Sequence, residues 1–169
     1  MKSLEWRVQR LEDIESIKKL IATAGRWFDR AEMTASAEDA AKFYDTLFTQ
    51  NGIMEFPFGT WGPERSQVIE ELVKFSKSVD WSLHHYTNQE VELDETLESA
   101  IYHAIEIIPI KIDGAATWIF VENETLLKKI EGEWKIEKYG IIDFKSVGNV
   151  DDKWPTFEKN PKSWMFAKL

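Results

Sequence analysis

A chain of 169 residues that is 43% hydrophobic and 13% aromatic suits one domain, residues 1–169, with a sizeable core. Its net charge of −9 would repel a phosphate backbone, and no Lys/Arg stripe interleaves with aromatics, which argues against nucleic acid as a partner. The absence of cysteine excludes a disulfide frame, a thiol nucleophile and a Cys-ligated zinc, while the lack of a secretory pattern or a bilayer-length apolar run predicts a cytoplasmic protein with no membrane partner.

From Val8, apolar residues recur at Leu11, Ile14, Ile17, Ile21, Ala24 and Phe28, a spacing of three or four that predicts one long helix with Asp29 at its end. Ser36 followed by Asp39 can cap a second helix, whose face is Ala40, Phe43, Leu47 and Phe48 and whose stop is Asn51-Gly52. Residues 53–59 then read as a short strand, confined by Pro57 to an edge or a bulge because proline donates no ladder hydrogen bond. Pro63 opens a third helix carrying Val68, Leu72, Phe75 and Val79.

The remainder reads as strands over 84–93, 100–112, 115–129 and 134–144, with turns at Asp94-Glu95-Thr96, Asp113-Gly114 and Glu131-Gly132. Helices followed by hairpin-linked strands predict an α+β domain in which a curved antiparallel sheet wraps around three N-terminal helices and leaves a cavity. Residues 150–169 carry Trp154, Phe157, Trp164 and Phe166, a tail expected to cover the pocket or a neighbouring subunit.

A carboxylate and an imidazole delivered to one pocket form a proton-moving pair, and Asp29 and His84 are the candidates. The element order, with Asp29 and then His84-His85-Tyr86-Thr87-Asn88 at these places, resembles the SnoaL-like branch of the nuclear transport factor 2 superfamily over roughly residues 5–145. Within it the chain looks like scytalone dehydratase, bile acid dehydratase and hexachlorocyclohexane dehydrochlorinase, lyases that use an Asp and a His inside a cone-shaped barrel. The resemblance implies Asp29 and His84 as catalytic residues, places Asn123 on a pocket asparagine, and puts Tyr139 and Ile141 on pocket-lining positions. It sets Phe28 and Phe56 where scytalone dehydratase has pocket tyrosines, and Val121 where that enzyme has a serine.

Each candidate also has a plainer role. Asp29 could terminate its helix in solvent beside Arg26 and Arg30, and one of His84 and His85 must face out; strict alternation from Val91 and Leu93 favours His85 inward unless a bulge intervenes. His103, among Ile101, Ile105 and Ile107 on one strand face, is either structural or, with Ile107, part of a substrate-binding wall. Asn123 orients a ligand or pairs across strands, and Tyr139 donates a proton or simply packs. Glu106, a lone carboxylate in an apolar run, is expected on the outer face.

Trp118 and Phe120 are expected to project from the outer face, and exposed aromatics there, together with the resemblance, imply a homodimer or homotrimer. No phosphate loop, His-Glu-x-x-His helix or Gly-x-Ser-x-Gly elbow occurs, and neither a metal nor a cofactor is implied. The expected function is a cofactor-free lyase, of the dehydratase type, acting through an Asp-His dyad on a small or medium apolar, cyclic, carbonyl-containing molecule. The alternatives are an isomerase using the same dyad and a non-catalytic hydrophobic-ligand-binding or oligomerisation module.

Overall fold

The computed structural model describes residues 2–29 and 35–147, so the aromatic tail and Arg30 lie outside the described residues. Helix α1 (Leu4–Asp29) buries Asp13, Ile17, Ile21, Ala24, Gly25 and Phe28, whereas Val8 and Leu11, at its N-terminal end, stay exposed. Helix α2 (Ala37–Leu47) starts where the sequence places its cap: Ser36 Oγ accepts the Asp39 backbone N–H at 3.0 Å and donates to Asp39 Oδ2 at 2.6 Å. Its amphipathic face (Ala40, Phe43, Tyr44, Leu47) is buried. The helix stops at Leu47 rather than at Asn51-Gly52. Phe48 already begins strand β1 (Phe48–Phe56), and Asn51-Gly52 falls in a register shift of that strand.

Pro57 occupies the tight turn from β1 to β2 (Gly59–Trp61). Helix α3 (Arg65–Ser78) buries Val68 and Leu72, while Val79 begins a short strand, β3 (Val79–Ser82), that the helical spacing of its apolar neighbours concealed. The strands β4 (His85–Leu93), β5 (Ser99–Ile112), β6 (Ala115–Ile130) and β7 (Glu133–Val147) follow the predicted meander. At both two-residue turns the residues have positive φ, 48° and 84° at Asp113-Gly114 and 52° and 85° at Glu131-Gly132, the backbone twist that tight hairpins require.

The seven strands form one sheet in the order β2-β1-β7-β6-β5-β3, with β4 also paired to β5. The sheet is mixed, not purely antiparallel: β7, the last strand, lies beside β1 in the parallel sense. Strands β3 and β4 lie end to end along one edge of β5, and Leu83 N–H donating to the Pro109 carbonyl at 3.0 Å carries the ladder across the gap between them. The curled sheet closes on the three helices around Ile17, Ile21, Phe43, Leu72, Tyr102 and Ile136, all essentially buried. Each aliphatic side chain of that set stabilises the fold by roughly 1.5–3 kcal/mol.

Candidate active site

The strand edge opposite α1 sets the site. Ser82 pairs with Ile110 and His85 with Ile107, so His84 falls opposite Ile108 on the inner face and His85 points outward. Between Thr87 and Glu90 strand β4 takes three steps against two on β5, with Asn88 at φ 51°. This bulge reverses the alternation set by Val91 and Leu93 and brings Tyr86 and His84 inside. Gly25 of α1 lets the two elements approach, since a Cβ there would lie 2.8 Å from the Tyr86 ring and hydroxyl.

Asp29, the last residue of α1, meets His84 directly. Its Oδ1 accepts the His84 backbone N–H at 2.8 Å and lies 2.7 Å from His84 Nδ1. A carboxylate only accepts, so Nδ1 carries the ring hydrogen and Nε2 presents its lone pair. Ser82 Oγ donates to the Phe28 carbonyl at 3.0 Å, tying the end of α1 to the same edge. The ring is nearly buried, with Phe28 packed 5.4 Å from it between centroids.

His84 lines a cavity of about 250 Å³ whose other walls include Phe28, Met54, Phe56, Trp61, Ile108, Val121 and Ile141. Phe58 and Phe144 line it while remaining exposed, which marks its mouth. Of the sequence candidates, Phe28, Phe56, Val121, Tyr139 and Ile141 therefore face the cavity together with His84.

His103 and Ile107 do not. Alternation along β5 turns Tyr102, Ala104, Glu106, Ile108 and Ile110 inward, and with them puts His103 and Ile107 on the outer face, where His103 Nδ1 lies 4.0 Å from a Glu124 carboxylate oxygen. Ile107 pairs there with Phe120, whose ring lies 6.5 Å from that of Trp118. Asn123 is fully buried but spends its amide on protein groups: Nδ2 donates to Glu106 Oε1 at 2.6 Å and Oδ1 accepts from Thr125 Oγ1 at 2.8 Å.

Glu106 is the residue that local pattern misplaces. It is 1% exposed, on the cavity wall, and Tyr139 also donates to its Oε1, at 2.8 Å. Burial raises its carboxyl above the ordinary 4.5, against the opposing pull that His84 exerts when protonated and that of the Tyr139 and Asn123 hydrogen bonds. Burial, followed by the negative charge that Glu106 carries when ionised, likewise lifts Tyr139 and Tyr86 well above the ordinary phenol value of 10.0, so both phenols keep their proton and can donate it in a hydrogen bond. The Tyr86 hydroxyl is buried with no partner in hydrogen-bonding geometry.

The hairpin turn could have located Glu106. A two-residue turn at Asp113-Gly114 pairs Ile112 with Ala115, and counting back puts Glu106 opposite Val121 and Ala104 opposite Asn123. An inward Val121 thus requires an inward Glu106, and an outward Phe120 requires an outward Ile107.

Three helices on a curled mixed sheet, with an Asp-His pair beside a largely apolar cavity that opens at Phe58 and Phe144, define a cone-shaped α+β barrel with an interior site. The chain belongs to the SnoaL-like domain family, whose profile matches residues 9–140. A search of curated protein sequences finds no match. Among solved structures the fold is similar to LinA, at TM-score 0.73 and 11% identity over 89% of this chain and 99% of that one. It is also similar to the hexachlorocyclohexane dehydrochlorinase LinA-type3 of Novosphingobium barchaimii (TM-score 0.64, 14% identity, 83% and 94% covered). A scytalone dehydratase candidate of Novosphingobium aromaticivorans superposes at TM-score 0.69 with 13% identity, over 82% and 89% of the two chains. Among the described residues no helix is long and apolar enough to cross a membrane, and no cluster of three or more His, Asp or Glu is arranged to hold a metal ion.

Proposed function

We propose that the protein catalyses a cofactor-free elimination on a small hydrophobic molecule, with His84 as general base and Asp29 as the group that orients it. One observation carries this reading: the 2.7 Å contact between Asp29 Oδ1 and His84 Nδ1, in a ring that lines an apolar cavity. The unbonded Nε2 would take a proton from a carbon next to an activating carbonyl, and the Asp29 carboxylate would stabilise the imidazolium that forms. A positioned base contributes about 10²- to 10⁴-fold, enough for a C–H acidified by a carbonyl. The cavity of about 250 Å³ lies just below the span of typical small-molecule sites, roughly 300–1,000 Å³, and suits a small molecule of one or two rings. The dehydratase and dehydrochlorinase names among the structural neighbours are in keeping with this chemistry.

The test is turnover of a panel of cyclic β-hydroxy ketones by the wild type and His84→Ala. Dehydration that falls about a hundredfold or more in the variant is expected. Equal turnover would remove His84 from the mechanism. Migration of the double bond in a cyclic β,γ-unsaturated ketone, with no loss of water from the hydroxy ketones, would reassign the dyad to isomerisation.

A further inference from the structure

The inner face of β5 brings a second proton-handling group to the cavity. His84 falls opposite Ile108, and Glu106 is two residues from Ile108 on the same face, so the imidazole and the carboxyl are diagonal neighbours on adjacent strands, ~7–8 Å apart by backbone position. Both line the same apolar hollow. The two donors that hold Glu106, Tyr139 and Asn123, both fall on Oε1, and among the described residues no donor meets Oε2. A neutral carboxyl held in this way must carry its hydrogen on Oε2, because Oε1 is already an acceptor twice over. Asn123 is in turn fixed by Thr125, so the oxygen that accepts is set by a chain of three buried side chains.

We propose that Glu106 is the acid that works opposite His84, donating the Oε2 proton to a departing hydroxyl, and that the cavity is therefore built for substrates that lose water rather than halide. The inference rests on the elimination reading above. Hydroxide is a strong base and leaves slowly unless it is protonated as the C–O bond breaks, whereas chloride leaves as the anion and gains nothing from an acid.

The step balances within the site. His84 Nε2 takes the carbon-bound proton, the C–H electron pair becomes the new C=C bond, and the C–O pair leaves with the oxygen. Glu106 Oε2 supplies the proton that turns that oxygen into water. The imidazolium then returns a proton to the Glu106 carboxylate across the cavity, directly or through the released water, and both groups regain their starting forms. Burial of the carboxyl, which favours its neutral form, serves the same end. Tyr139 and Asn123 are positioning residues, acting on the substrate through Glu106.

The experiment compares a cyclic β-hydroxy ketone with its β-chloro counterpart in the wild type, Glu106→Gln, Tyr139→Phe and His84→Ala. Glu106→Gln is expected to slow loss of water by about 10²- to 10⁴-fold and loss of chloride by less than about tenfold. Tyr139→Phe, which keeps the acid and removes one of its holders, should give a smaller loss, again confined to the hydroxy substrate. Should Glu106→Gln not fold, the Tyr139→Phe selectivity and the carboxyl band in the infrared spectrum of the wild type carry the test. A protonated C=O band at neutral pH, assigned by glutamate labelling, supports the acid. Equal slowing of both substrates, no slowing of either, or a fully ionised Glu106 would overturn it. If His84→Ala abolishes both reactions while Glu106→Gln leaves both intact, the acid falls and the dyad stands. If the wild type acts on neither compound, the elimination reading falls and takes the acid with it.

Discussion

A single oxygen, Asp29 Oδ1, accepts both the backbone N–H of His84 at 2.8 Å and its imidazole Nδ1–H at 2.7 Å. The same carboxylate therefore anchors the chain between β3 and β4 and fixes the ring tautomer, and two substitutions separate these roles. Asp29→Asn keeps the shape and an acceptor oxygen but removes the charge. It should lower turnover about 10²- to 10⁴-fold while shifting the urea midpoint little. Asp29→Ala leaves a partly buried imidazole and a backbone N–H without their acceptor, and should in addition cost about 1–3 kcal/mol of stability. Nitrogen NMR of His84 reads the tautomer in each. A ring that keeps its hydrogen on Nδ1 in Asp29→Ala would show that Asp29 does not fix it.

How much of this was legible in the sequence divides along a physical line. The helices and long strands were visible because their periodicity and turn residues are local: Ser36 with Asp39, Asp113-Gly114 and Glu131-Gly132 each act within a few residues. The side of β5 was not. Ile101, Ile105 and Ile107 on one face and Ala104, Ile108 and Ile110 on the other are all apolar, so alternation carries no contrast. The direction of Glu106 is settled by partners 17 and 33 positions away, Asn123 and Tyr139, whose hydrogen bonds make burial of a carboxyl tolerable. Strand β3 was hidden for a related reason, since Val79 continues the spacing of Val68, Leu72 and Phe75 although the helix ends at Ser78. The inward turn of His84 depends on the bulge at Asn88, which only the register of β4 on β5 reveals.

Gly25 is a second point at which helix and site are coupled. In an exposed helix an alanine would gain about 1 kcal/mol over glycine. Here a Cβ would meet Tyr86 Cε2 and its hydroxyl at 2.8 Å and His84 Cβ at 3.2 Å. Gly25→Ala should therefore destabilise by about 1–3 kcal/mol and displace the His84 ring. Adding Tyr86→Phe removes one of the two close contacts and should recover part of the loss. Thermal melts of the four proteins in this double-mutant cycle give the coupling; strict additivity would mean that α1 moves aside and Tyr86 is not the obstacle.

At the other end of α1, Asp13 fastens the helix to the last hairpin. Its Oδ1 accepts Trp134 Nε1 at 2.9 Å and its Oδ2 accepts Lys129 Nζ at 2.9 Å, in a site where the lysine and aspartate side chains are 12% and 5% exposed. Asp13→Ala strands a mostly buried ammonium and an indole N–H, and should cost about 3–5 kcal/mol. Asp13→Asn keeps an acceptor for Trp134 and should cost less. Replacing Asp13 and Lys129 together, as Asp13→Leu with Lys129→Met, should recover much of the loss because no charge is then left buried. Urea midpoints decide the ranking, and a double variant no better than Asp13→Ala would locate the cost in the lost indole bond.

Glu106 should leave a mark on stability as well as on chemistry, and the sign follows from proton uptake. Its folded-state carboxyl is raised from 4.5, chiefly by burial, so from about that pH upward the native chain holds a proton that the unfolded chain has released. Stability drawn from this group is fully present below the unfolded value and declines as pH rises through the folded one. Glu106→Gln does not titrate and keeps an acceptor for Tyr139 and Asn123, so it lacks this decline. The stability of the wild type relative to the variant should therefore fall as pH rises above about 4.5 and flatten once the native carboxyl has ionised. Other titratable groups near the site, His84, Asp29, Tyr86, Tyr102 and Tyr139, are common to both proteins, so the difference between the two reports the carboxyl. Urea midpoints across that range, measured for both, give the curve; two parallel curves would mean that Glu106 is ionised in the folded protein like any surface carboxylate, and a difference rising with pH would mean that its hydrogen bonds outweigh its burial.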